Sequence, residues 1–202
     1  EHMFFSGGFD FPDKKSVERE LRLLGDRHNA HTGDEFVFYY ITTSAGSFRR
    51  AAHLLSDMLI HARMDPADVE KERGAILQEL NRLRDNPENF AGLEYVRFLF
   101  GDHPLGRTGI GTNTSIAGFS ADDVRAYKER FYGPPNMVIS AAGGIDLAEA
   151  RALLEEYFGG ISAKEKVSWL PFQQDSVYPP AKLLIRNGIQ MISDGHARRN
   201  VA

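Results

Sequence analysis

Asp65-Pro66-Ala67-Asp68-Val69-Glu70-Lys71-Glu72-Arg73-Gly74-Ala75-Ile76-Leu77-Gln78-Glu79 reads as the opening of a long helix. Asp65 is a capping residue, Pro66 suits the first helical position, and Asp68 places negative charge in the first turn. The pattern predicts a helix to about Arg84, where Asp85-Asn86-Pro87 breaks it. Glu72 and Glu79 lie seven residues apart on it. That spacing is two turns along one face, with Cα atoms roughly 10 Å apart. The helix is rich in charge (Asp68, Glu70, Lys71, Glu72, Arg73), and by residue type alone such a run more often forms a solvated face than a functional one.

Outward from this helix, Ser16–Leu24 and Phe48–Ala62 carry apolar residues at helical spacing. Further helices are predicted over Glu88–Phe100, over Ser120–Phe131 with Ser120 and Asp123 resembling a capping box, and over Asp146–Phe158. Glu35–Thr43 (EFVFYYITT) is the clearest strand, Asn136–Ala142 (NMVISAA) a buried-strand candidate and Lys182–Arg186 a short strand. No glycine-rich turn joins a strand to a helix in the order a nucleotide site requires. The expected class is α+β, a mainly antiparallel sheet covered by helices.

Hydrophobic residues make up 42% and charged residues 26%, which indicates a folded globular chain. A net charge of −4, with basic and acidic residues interleaved, argues against a nucleic-acid partner. No stretch approaches the roughly 20 apolar residues of a membrane span. Cysteine is absent, so any metal must be held by His, Asp and Glu. That absence leaves the compartment open, with the cytoplasm slightly favoured. Glu1-His2-Met3 opens the chain without an initiator Met or a signal-like run, as a fragment or processed chain would.

Glu1-His2-Met3-Phe4-Phe5-Ser6-Gly7-Gly8 reads as the apolar end of a helix with Gly7 near its C-cap. His2-Met3 by itself could equally be a cloning remnant. With that stretch in place, the sequence resembles the pitrilysin/insulinase family of zinc peptidases, the inverzincins, which include mitochondrial processing peptidase. Their motif is His-x-x-Glu-His on a helix, followed by a turn containing Gly. Their third ligand is a distant Glu, 76 residues beyond the second His, and counting from His2 leads to Glu79; the companion acid falls on Glu72. Asn29-Ala30-His31-Thr32, Phe38-Tyr39-Tyr40, Asp65-Pro66, His103-Pro104-Leu105-Gly106 and Asn136-Met137-Val138 follow in the family's order. The resemblance is close over about residues 1–145 and loose afterwards, and it implies one peptidase-like domain over 1–202.

The resemblance implies one Zn2+, with His2 and Glu79 as ligands, Glu1 as general base and Glu72 orienting the site. Such a site leaves one metal position for a water that the metal acidifies and the Glu deprotonates. It further implies that Asn29 and Ala30 bind an extended peptide substrate by strand addition, with His31 adjusting side-chain preference. The motif's first His falls three residues before Glu1, so the chain alone is expected to bind zinc weakly or not at all. Family members pair two homologous halves, so a second half-domain or partner subunit is expected. The alternatives are a non-catalytic, substrate-holding subunit of the same family and an unrelated α+β module. His28, His53, His61 and His103 read as surface or packing residues, His196 as part of a polar tail, and Tyr39, Tyr40 and Trp169 as core or rim.

Overall fold

The computed structural model describes residues 1–168 together with the backbone of 182–186 and 189–193. Trp169 and His196 lie outside the described residues. In chain order the elements are a 3₁₀ turn His2–Ser6, α1 Lys14–Leu23, β1 Arg27–Thr32, β2 Val37–Thr42, α2 Phe48–Ile60, α3 Pro66–Asp85, α4 Pro87–Phe100, α5 Asn113–Gly118, α6 Ala121–Phe131, α7 Leu147–Phe158, β3 Lys182–Arg186 and β4 Ile189–Ser193. Short 3₁₀ turns also occur at Ala45–Ser47 and Pro104–Gly106.

The chain divides into two compact units, residues 1–72 with 119–168, and residues 73–118 with 169–202. The first holds the packed core. Val17, Leu21 and Leu24 pack with Ala51, Leu54 and Met58, flanked by Phe5, Phe11 and Ile41. A second cluster joins Met3, Phe4, Met64, Val69 and Ala121, flanked by Tyr39 and Tyr132. The turn His2–Ser6 therefore feeds both clusters, Met3 and Phe4 into one and Phe5 into the other. Phe4 lies 5.1 Å edge-on from Tyr39 and 4.8 Å from Tyr132, ring centre to ring centre. Burying a side chain of this size is worth roughly 1.5–3 kcal/mol, so the segment carrying His2 is well anchored.

β1 and β2 form an antiparallel hairpin in the register Asn29↔Tyr40, Ala30↔Tyr39, His31↔Phe38 and Thr32↔Val37. Period-2 alternation follows from that register: Ala30 and Tyr39 face the core, whereas His31, Phe38 and Tyr40 face outward. In the second unit, β3 and β4 pair antiparallel, and α4 contributes no buried residue.

The fold is helix-rich, and this corrects the expected mainly antiparallel sheet. Among the described residues the strands form two two-stranded ladders, while helices account for most of the chain. Asn136–Ala142 carries the side chains of a buried strand but forms no strand, and Val138 is 91% exposed. A run of β-prone residues becomes a strand only when another backbone satisfies its N–H and C=O groups.

A candidate metal centre

His2 and Glu72 come together in the first unit. The His2 Nδ1 lies 3.0 Å from Glu72 Oε2, and Lys14 Nζ donates to the other carboxylate oxygen at 3.2 Å. Glu72 is buried, at the end of the second turn of α3. Burial alone would raise its pKa, but the hydrogen bonds from His2 and Lys14, with the charge on Lys14, hold it below the usual carboxylate range. An ionised carboxylate only accepts hydrogen bonds, so the His2 nitrogen in contact with it carries the proton. In a neutral imidazole the lone pair then resides on Nε2. That is the tautomer a histidine uses when its outer nitrogen binds a metal and its other nitrogen donates to a carboxylate.

Glu1 reaches the hairpin: its Oε2 accepts a short hydrogen bond from the Thr32 hydroxyl. Thr32 ends β1, so the structure links the candidate base to the Asn29–Thr32 segment. Asn29 Oδ1 accepts from the Ala30 N–H at 3.0 Å, Ala30 is buried, and His31 is exposed, with its ring 5.5 Å from that of Phe38. Below them the Tyr39 and Tyr132 hydroxyls approach to 3.5 Å. Burial raises both pKa values, and the nearby charge of Glu1 adds to the effect, so both remain neutral phenols.

Glu79 lies in α3 within the second compact unit. Among the described residues no group of three or more His, Cys, Asp and Glu is placed to hold a metal ion. The donor chemistry present is one histidine with a carboxylate behind it, which suits one zinc ligand of a larger set. Sequence reasoning missed Lys14 and Thr32. Thr32 stood within a quoted motif without a role, and Lys14 in the run Asp13-Lys14-Lys15-Ser16 offered no signal.

The fold recurs in solved proteases. The chain superimposes on the periplasmic protease PqqL from Escherichia coli with a TM-score of 0.72 and 26% identity, over 84% of this chain and 20% of that one. It covers 38% of the separately solved first half of PqqL. These neighbours define the class as a peptidase fold. In sequence, residues 1–113 match the insulinase family (peptidase family M16) and residues 118–193 match the peptidase M16 inactive domain. The chain belongs to peptidase family M16. An uncharacterised zinc protease of Mycobacterium leprae is 34% identical over 143 residues, 71% of this chain and 32% of that protein. The zinc protease YmxG of Bacillus subtilis, also uncharacterised, is 29% identical over 170 residues, 84% of this chain and 41% of that protein. The chain thus spans about a third to two fifths of the length of these curated relatives. No helix among the described residues is long and apolar enough to cross a membrane.

Proposed function

We propose that this chain supplies the zinc-binding part of a metal-dependent endopeptidase that cleaves peptides or small proteins. The observation that carries the reading is the contact between His2 Nδ1 and the buried Glu72 carboxylate. In this reading His2 and Glu79 are two of the metal ligands. Zinc, when bound, supplies the Lewis acidity that makes water a nucleophile near neutral pH. Glu1 takes the proton at its carboxylate, held by the Thr32 hydroxyl. Glu72 keeps the His2 ring in one tautomer, and Lys14 keeps Glu72 ionised. The backbone of Asn29 and Ala30 aligns an extended peptide against β1, and His31 meets a side chain near the cut.

PqqL, a match to this chain, has been solved both whole and as its first half. By analogy, a second homologous half or a partner subunit completes the chamber here. Glu79→Gln in the longer polypeptide should abolish stoichiometric zinc binding by isothermal titration and reduce cleavage of an unfolded peptide at least ~100-fold. Retention of both zinc and cleavage refutes the assignment.

A further inference from the structure

Residues 2–14 are held by two carboxylates, and only one of them belongs to the site described above. Glu72 grips the ends of this segment, through His2 and Lys14. Asp57 grips its middle. Asp57 is 1% exposed and lies on α2. Its Oδ1 accepts the Phe9 N–H at 3.0 Å and meets His61 Nδ1 at 3.0 Å. Its Oδ2 accepts the N–H groups of Asp10 at 3.1 Å and Phe11 at 3.0 Å. Each oxygen thus has two partners, and the three backbone groups can only donate.

The turn is built to receive this carboxylate. A Cβ on Gly8 would stand 2.7 Å from the Asp57 Cγ and carbonyl oxygen, so only glycine lets the backbone approach. Gly7, at φ 122°, turns the chain out of the 3₁₀ segment, and Gly8 N–H closes the turn onto Phe11 O at 2.7 Å. His53, on α2, and His61, which caps its C-terminus, flank Asp57 at four-residue intervals. His53 Nε2 meets Asp10 Oδ2 at 2.7 Å, and Arg63 donates from its backbone N–H to Gly7 O and from its guanidinium to Pro12 O.

We infer that Asp57 is a positioning residue for the metal site: by clasping the turn 8–11 it fixes the angle at which His2 and Lys14 converge on Glu72. This rests on the reading of His2 as a zinc ligand, and Asp57 acts only through the chain between them. The requirement is for two acceptor oxygens. An amide in its place, Asp57→Asn, turns an NH₂ group toward backbone donors whichever way it is flipped.

The test uses the 202-residue chain without added metal and reads the ¹⁵N resonances of the His2 ring by NMR. In the wild type a single tautomer gives widely separated Nδ1 and Nε2 signals. D57N should collapse that separation toward an averaged position. Leu153→Ala, a truncation of a buried side chain on α7 outside both clusters that hold the segment, should leave it intact although it lowers stability. Should D57N fail to fold, His61→Ala, which removes one partner from Oδ1 and leaves the backbone donors, should narrow the separation. An unchanged His2 signature in the folded Asp57 or His61 variant, or an equal collapse in L153A, overturns the inference. Because the readout needs no zinc, it stands apart from the Glu79 experiment: failure there removes the peptidase reading and leaves the clasp intact.

Discussion

At Asp57 the balance of charge and burial sets a pH dependence. Burial by itself would raise this carboxyl, but the backbone N–H groups of Phe11, Asp10 and Phe9, with His61, hold it below its ordinary value of 3.8. An acid depressed in the folded state adds stability above its unfolded pKa and loses that contribution as the pH falls through the lower folded value. D57N should therefore cost at least about 2 kcal/mol near neutral pH, the scale of hydrogen bonds to a charged group. The urea midpoints of wild type and variant should converge as the pH drops below about 4. A gap that stays constant as the pH falls well below that range would mean that the carboxylate's charge contributes nothing. Gly8→Ala attacks the same contact from the other side. Its added methyl collides with Asp57, and overpacking of this kind costs roughly 1–3 kcal/mol, measurable in the same titration.

At the scale of elements, local signals were legible where local chemistry decides the outcome. Ser120 and Asp123 form the capping box of α6, and Asp146 caps α7 by accepting from Ala148 and Glu149. The break at Asp85-Asn86-Pro87 separates α3 from α4, with the Asn86 side chain accepting from the Glu88 and Asn89 N–H groups. Asn86→Ala should cost about 1 kcal/mol, seen as a lower melting temperature of the helical circular dichroism signal; an unchanged melt would show that α4 does not depend on its cap. Strands were harder to read. β1, Arg27-His28-Asn29-Ala30-His31-Thr32, has a single buried side chain, Ala30, so it shows no apolar alternation and was visible only through the family resemblance. Asn136–Ala142 was misread for the opposite reason, its composition being right while the described backbone forms no strand there. The site divides in the same way. The spacing from His2 to Glu79 and the neighbouring Glu72 could be counted along the chain. Lys14 against Glu72, and Thr32 against Glu1, arise only when segments 58 and 31 residues apart in sequence fold together.

For the molecule as a whole, burial is unevenly distributed. The first unit holds both hydrophobic clusters, with Val17 and Leu54 fully buried and Met58 1% exposed. In the second, α4 (Pro-Glu-Asn-Phe-Ala-Gly-Leu-Glu-Tyr-Val-Arg-Phe-Leu-Phe) is rich in large apolar residues, yet none is buried and Val96 is 39% exposed. Opening free energy follows the apolar surface an element hides, so cooperative units with little buried surface open first. Native-state hydrogen exchange on this chain should give amides of α1 and α2 protection close to that of global unfolding. Amides in the middle of α4 should exchange through local opening at a free energy lower by at least about 2 kcal/mol, the scale of one core side chain's burial. These relatives are about twice as long as this chain, whose matched residues cover 32% and 41% of their lengths. If the remainder of a family protein covers α4, its amides in the longer polypeptide should gain protection while those of α2 stay unchanged. Equal protection of α4 and α2 in the 202-residue chain would show that the second unit is stabilised without a buried face on this helix, and that its apolar residues require no cover.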